Sequence, residues 1–218
     1  MKVFFDDYDT YAYFSLVLNS KEIELPEVKT NLVDIAGANG YLDLTEVFGN
    51  VMYKNRKIKL EFTFLPSVPS TIFLTMYSLF ASSVHGKKMK IKFMNNTSYY
   101  FYGRISVGPL QVEKNIGTFS VECDCDPFKY YTTETNISQA FQGSYNFTLT
   151  NDMMPVVPTI QSNKQLSFQF ENNVYTHAAG TFQIPEIQLK EGNNSIYVYA
   201  SDSSTTATVT FTYREGRL

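Results

Sequence analysis

Apolar and polar residues alternate with a period of two along much of this chain, which predicts strands far more often than helices. The clearest run lies in 52–64, where Ile58, Leu60, Phe62 and Phe64 alternate with Lys57, Lys59, Glu61 and Thr63. Met89–Met94 and Tyr99–Val107 read as a hairpin with a somewhat long connection around Asn95-Asn96. Gly117–Cys125 places Phe119, Val121, Cys123 and Cys125 on one face before Pro127 stops it. Tyr11–Leu18 is expected to be a strand as well, with Pro26 blocking its continuation.

One segment has a different period. Ile72, Met76, Phe80 and Val84 recur every four residues, with Phe73 and Tyr77 beside them. This predicts a helix with one apolar face docked on a sheet. Ser67 or Ser70 would cap its start, and Pro69 is tolerated in the first turn. His85-Gly86 would end it, with a side chain able to carry positive charge in the last turn and a glycine free to take the left-handed cap. Upstream, Gly37-Ala38-Asn39-Gly40 separates Leu32–Ile35 from Tyr41–Thr45 and predicts a tight reversal or hairpin. Gly49-Asn50 marks a second turn.

From Tyr131 to about Gln142 the sequence becomes polar, and the domain boundary is placed there, giving domains 1–132 and 133–218. The second is expected to hold only strands and turns: Tyr145–Leu149, Val156–Gln161, Leu166–Phe170, Val174–His177, Thr181–Leu189, Ser195–Ala200 and Thr206–Tyr213. Asn172-Asn173, 191–194 and 201–204 separate them. Short strands at even spacing predict a small β-sandwich.

Composition narrows the function classes. The 218 residues are 44% hydrophobic and 18% charged, which suits a folded chain with a sizeable core and excludes a disordered one. The net charge of −3 supplies no global basic field, so no sequence-specific nucleic-acid partner is expected. Basic residues cluster locally, at Lys54, Arg56, Lys57 and Lys59 and again at Lys87, Lys88, Lys90 and Lys92. Both runs alternate with apolar residues, as the solvated face of a half-buried strand does; an electrostatic contact surface is the alternative. The start, Met1–Asp7, has too short an apolar run for a signal peptide. No stretch approaches the roughly 20 apolar residues of a membrane span. Synthesis in the cytoplasm without membrane insertion is expected.

Candidate chemistry is sparse. Cys123 and Cys125 are spaced i, i+2, unlike the spacing of zinc or thioredoxin sites, and read as buried thiols. Glu122, Asp124 and Asp126 form a comb on the opposite face, and Asp6, Asp7 and Asp9 cluster near the start. Wet surfaces explain both better than Ca²⁺ sites, which draw ligands from irregular loops. His85 and His177 fall in different domains, so a shared metal or acid–base site is not expected. No nucleophile elbow, phosphate-binding loop or metalloprotease motif appears. The expectation is no catalytic residue, no cofactor and no metal; a hydrolase built on a carboxylate pair, which needs no fixed spacing, is the weakest reading. The 16 Tyr and 18 Phe, without any Trp, raise a glycan-binding alternative in the second domain. The rings available for sugar stacking are Tyr145, Phe147, Phe168, Phe170, Tyr175, Tyr197 and Tyr199, and Tyr145, Tyr175 and His177 are the candidate glycan contacts, although alternate aromatic residues are also what strand packing demands.

A resemblance sharpens the picture. The run Gly37–Thr45, then Phe48-Gly49 and Tyr53-Lys54-Asn55-Arg56, is similar to the N-terminal domain of the distal tail protein (Dit) family of long non-contractile-tailed phages. So are His85–Ile91 leading to Tyr99–Ile105, and the closing Cys123–Tyr130. Leu189–Ile196 and Val209–Leu218 resemble the end of that family's galectin-like C-terminal domain, while Ala36 stands where the pattern has a proline. The resemblance implies a mainly β protein: an N-terminal β-sandwich with a flanking helix and a protruding hairpin, then a galectin-like β-sandwich. It implies a virion component at the distal end of the tail, six copies forming a ring that joins the tail tube to the tip or baseplate. Partners would be further copies of the chain, the tail tube protein, the tail-tip or tail-associated lysin hub protein, and receptor-binding proteins. Gly37, Asn39, Gly40, Tyr41, Asp43, Tyr53 and Arg56 are the candidate inter-subunit contacts, each of which an intramolecular hairpin would explain nearly as well. Arg56 and Arg104 fit interface ion pairs or ordinary strand-face charges. The alternative function is an adhesion module contacting host cell-wall glycans.

Overall fold

The computed structural model describes residues 1–47, 49–202 and 204–218. Phe48, part of the motif above, and Ser203, part of the 201–204 turn, lie outside the described residues. The chain forms two compact units, Met1–Lys129 with Leu218, and Tyr130–Arg217. It is mainly β, and all the strand pairs in its sheets described below are antiparallel.

In the first unit the elements run β1 (Val3–Phe5), β2 (Tyr8–Asp9), α1 (Thr10–Phe14), β3 (Leu16–Ile23), β4 (Leu32–Asp34), β5 (Tyr41–Asp43) and β6 (Arg56–Phe64). After a 3-10 turn at Ser70–Ile72 come α2 (Phe73–Val84), β7 (Lys88–Phe93), β8 (Asn96–Val107), β9 (Gln111–Glu113) and β10 (Ile116–Cys125). The sheet follows the order β2-β1-β7-β8-β10-β6-β3, with β9 on β10. Its ends meet again: Leu18 N–H donates to Met1 O at 3.1 Å, and the Met1 amino group to Leu18 O at 3.4 Å. The curvature is visible in the core. β1 and β6 are separated by β7, β8 and β10, a path of about 19 Å in a flat sheet, yet the Phe5 and Phe62 rings lie 6.4 Å apart.

Phe80 of α2 fills the space so enclosed. Its ring lies 5.9 Å from Phe5, 5.2 Å from Phe14, 6.0 Å from Phe62 and 5.4 Å from Phe119, and it is fully buried. Phe73, one end of the same helix face, stacks on Phe64 at 4.8 Å. Strand alternation supplies the rest of the core: Ile58, Leu60 and Phe62 from β6, and Val121, Cys123 and Cys125 from β10. Both cysteines are free thiols with no exposed surface. Burial raises the pKa of each, that of Cys125 to about 12, which leaves them as small apolar fillers.

Several expectations are corrected. Tyr11–Leu18 is not one strand. Asp9 accepts the N–H groups of Tyr11 and Ala12 and starts the short α1, and Ser15, at φ 53°, ends it before β3 begins. α2 has no serine cap; Ile72 precedes it without a side-chain hydrogen bond and is exposed. His85 lies just past the last helical residue, and its Nδ1 accepts the Val107 N–H at 2.9 Å, so its ring serves β8 rather than the last turn of the helix. The β7–β8 connection is tight, with Phe93 already opposite Asn96.

Arg56 is also placed differently from an interface or surface charge. It is 3% exposed; its Nε donates to Pro127 O at 2.7 Å, and Nη2 reaches the same oxygen. The guanidinium lies 5.4 Å from the centre of the Phe101 ring. Burial lowers its pKa. A planar fork serves this position better than an ammonium does.

After the short β11 (Lys129–Tyr131), the second unit contains β12 (Thr135–Phe141), β13 (Ser144–Asn151), β14 (Thr159–Ser162), β15 (Leu166–Phe170), β16 (Asn173–His177), β17 (Gly180–Gln183), β18 (Gly192–Tyr199) and β19 (Ala207–Tyr213). These form two sheets, β12-β19-β14-β17 and β13-β18-β15-β16. Phe211 of one sheet meets Phe147 at 5.0 Å and Phe168 at 6.4 Å from the other, within a core that includes Leu149, Ile160, Ile196 and Val209. The polar stretch expected to be a boundary is in fact β12, paired along its length with β19; the units divide three residues before position 133. Thr181–Leu189 is shorter than expected as a strand, since it leaves the sheet at Gln183 while Ile184, Ile187 and Leu189 remain buried. Asn194 holds the turn before β18: its Oδ1 accepts Lys190 N–H at 2.9 Å, and its Nδ2 donates to Lys190 O at 2.8 Å.

Two predictions follow from this core. Phe80→Ala should destabilise the protein by about 3–5 kcal/mol, because one ring serves four aromatic neighbours; an unfolding free energy from denaturant titration within about 1 kcal/mol of wild type would contradict its central position. Arg56→Ala should cost about 1.5–3 kcal/mol through the lost charged hydrogen bonds. Arg56→Lys should recover only part of that loss in the same denaturation measurement.

Candidate assembly surface

β3 and β6 are neighbouring antiparallel strands, with Ile23 opposite Ile58. Such a pair can be joined by two residues. Here 24–55, a span of 32 residues, intervenes. Most of it forms a ribbon leading away from the sheet. Glu24 N–H donates to Lys57 O at 3.0 Å, Val28 bridges Tyr53, and Lys29 N–H donates to Met52 O at 2.8 Å. Further out, Leu44 N–H donates to Asn31 O, and then β4 pairs with β5 in a sheet of just these two strands. A six-residue turn joins them, where Gly37 and Gly40 have φ of 84° and 81°. Loops of this length inside a compact unit are uncommon and usually functional.

The ribbon carries exposed apolar side chains along its length: Leu25, Leu32, Ile35, Tyr41, Leu42 and Val47, with Leu25 77% and Tyr41 68% exposed. Its charge is one-sided. Residues 30–53 include Asp34, Asp43 and Glu46 and no Lys, Arg or His. The Thr45 hydroxyl and N–H hold the Asp43 carboxyl below the usual carboxylate range. Because Leu32 faces Asp43 and Asp34 faces Tyr41 across the ladder, these four side chains share one face, and Val33 and Leu42 share the other.

Of the candidate contacts, Gly37, Asn39, Gly40, Tyr41 and Asp43 lie together on this arm. Tyr53 sits at its root, half-buried and 5.8 Å edge-on from Phe128. Arg56, buried on the core side of β6, is separate from them.

Other surfaces of the first unit are sorted by the strand alternation. On β7, Lys88, Lys90 and Lys92 point outward while Met89, Ile91 and Phe93 are buried. Lys88 pairs with Asp126 at 3.0 Å, and the Glu122 of the carboxylate comb pairs with Lys57 at 2.9 Å. That comb is therefore a cross-strand partner for bases. Asp6 accepts the Lys90 N–H, and Asp9 caps α1 and pairs with Lys2. Arg104 is exposed on β8 and donates to Gly86 O. The outer side of α2 carries exposed Leu74 and Leu79, and the helix has no charged residue. Among the described residues no group of three His, Cys, Asp or Glu gathers as a metal site would require, and no helix is long and apolar enough to cross a membrane.

In the second unit the candidate glycan contacts do not converge. Tyr145 lies on β13, one edge of its sheet, and Tyr175 and His177 lie on β16, the other edge. The register places all three on the core side, with Tyr145 opposite Val198 and Tyr175 opposite Phe168, but at the sheet edges Tyr145 and His177 stay exposed and Tyr175 is half-buried. His177 stacks on Phe182 at 3.6 Å. The outward face instead presents Tyr197 and Tyr199, 5.7 Å apart, with Asn146 opposite Tyr197. Alternation against the buried Ile196 and Val198 sets this pair apart from the other aromatic residues the sequence offers for sugar stacking.

No protein-family model matches the chain, and no curated protein matches it. Among solved structures it is similar to the crystal structure of SPP1 Dit (gp 19.1), described as a paradigm of the hub adsorption apparatus in phages infecting Gram-positive bacteria. That match covers 100% of this chain and 99% of that one, with a TM-score of 0.69 and 17% identity. Similarity of this kind, spanning both units at low identity, establishes a Dit-like fold for this chain.

Proposed function

We propose that this chain is a structural, non-catalytic subunit of a phage tail hub, located at the distal end of a long non-contractile tail. Six copies form a ring that joins the tail tube to the tip or baseplate. The observation that carries this reading is the end-to-end fold correspondence with SPP1 Dit, both units included. The arm supports it independently. A lone two-stranded ribbon is marginally stable in water, and an exposed apolar one is a hazard to a protein that stays alone. A copy of the chain is the partner that every assembled ring supplies. Contacts with the tail tube protein, the tail-tip or tail-associated lysin hub protein and receptor-binding proteins then fall to the ring's faces and rim.

A second reading, host cell-wall glycan binding by the second unit, rests on the outward Tyr197–Tyr199 pair. Aromatic faces flanked by short polar side chains suit sugar rings, and the two roles are compatible in one subunit.

Light scattering over a concentration series should give a mass near six times the 24.9 kDa of one chain, with six-fold rings in negative-stain images of the same fractions. A protein that stays monomeric at high concentration, and also with purified tail tube protein present, would overturn the ring. For the second reading, glycan-array binding should be lost in Tyr197→Ala and retained in Tyr145→Ala; equal binding by both variants would remove the Tyr197 platform.

A further inference from the structure

A ring closed by rotation uses two different patches on each copy, one meeting the other on its neighbour. The arm is one patch. Its complement must offer bases for Asp34 and Asp43 and apolar surface for Leu32 and Tyr41. The outer side of α2 is apolar but has no charge to offer. The outer face of β7 and β8 has both. Lys88, Lys90 and Arg104 are exposed there and Lys92 is half-buried. Lys90 Nζ lies 5.2 Å from the centre of the Tyr100 ring, and Lys88 Nζ 4.7 Å from that of Tyr102. Lys88 already has Asp126. Neither Lys90 nor Lys92 forms an ion pair among the described residues, although Asp6 lies beside Lys90 and accepts its backbone N–H.

The spacing matches as well. Asp34 pairs with Tyr41, and Asp43 with Leu32, so the two carboxylates stand two residue steps apart along the ribbon. Lys90 and Lys92 stand two steps apart along β7, on the order of 7 Å. In the arm each carboxylate has an apolar cross-strand neighbour. On β7 each lysine has an aromatic one, Tyr102 beside Lys90 and Phe4 beside Lys92. We propose that, in the ring assigned above, the arm of one copy lies across the β7–β8 face of the next, with Asp34 and Asp43 meeting Lys90 and Lys92 over an aromatic floor. This contact rests on the ring reading and specifies its interface.

The test is charge reversal with reciprocal rescue, read by native mass spectrometry and light scattering. Asp34→Lys/Asp43→Lys and Lys90→Asp/Lys92→Asp should each raise the concentration needed for assembly at least tenfold while leaving the thermal melt of the monomer within a few degrees of wild type. Mixed one to one, the two variants should assemble again, because an alternating ring places every reversed arm on a reversed face. Reversed variants that assemble as wild type does, or a folded mixture that stays monomeric, would overturn this contact while leaving the ring intact. A wild-type protein that never assembles would overturn the ring reading and this contact with it. Binding of a labelled DNA duplex that Lys90→Asp/Lys92→Asp abolishes without weakening the ring would assign the face to nucleic acid and also overturn the proposal.

Discussion

Closure of the first unit's sheet over Phe80 is the constraint from which the other features follow. The residues leading into β1 and strand β3, near the two ends of the main ladder, are tied by the Met1–Leu18 hydrogen bonds. A closed ladder has few edges to offer other chains, and that suits a protein which must avoid uncontrolled strand pairing. The same closure excludes the residues between β3 and β6. Those strands are already neighbours, so the 24–55 excursion places none of its described side chains in the hydrophobic core of the sheet it leaves. Its retention needs a reason outside the monomer's own core.

How much of this could be read in the sequence depended on whether the local pattern and the tertiary contacts agreed. In β6, β7 and β10 they agree, since each strand buries one face against Phe80 or its neighbours and wets the other. The α1 segment misleads because Tyr11 and Tyr13 look like strand residues but are exposed. Its conformation is decided by the Asp9 cap, the left-handed Ser15 and the docking of Phe14 on Phe80. β12 hides for the opposite reason. Only Ile137 and Phe141 touch the core, so a genuine strand has the composition of a linker.

Arg56 shows that the signal was present and overridden by residue type. It stands two residues before Ile58, which places it on the buried side of β6. A charge in that position reads as surface because buried charges are costly. The Pro127 carbonyl and the Phe101 ring make the exception possible, and both are distant in sequence. The glycan candidates are arranged by a related effect. Tyr145, Tyr175 and His177 share the core face by register, whereas Tyr197 and Tyr199 point outward on β18.

The composition of the arm bears on the kind of assembly it favours. An exposed apolar ribbon could pair with an identical ribbon across a two-fold axis, burying Leu32, Tyr41 and Leu42 against themselves. That arrangement would bring Asp34, Asp43 and Glu46 of one copy toward the same three carboxylates of the other, with no base in 30–53 to compensate. Like charges across such a contact oppose it, and the repulsion grows as water is excluded. The carboxylates therefore act against the symmetric dimer while leaving the apolar surface available to a face of different composition. A contact between unlike patches does not exhaust itself in a pair; it repeats until rotation closes it. In this reading the acidic residues matter less for the strength of the contact than for its asymmetry, and asymmetry is what a ring requires.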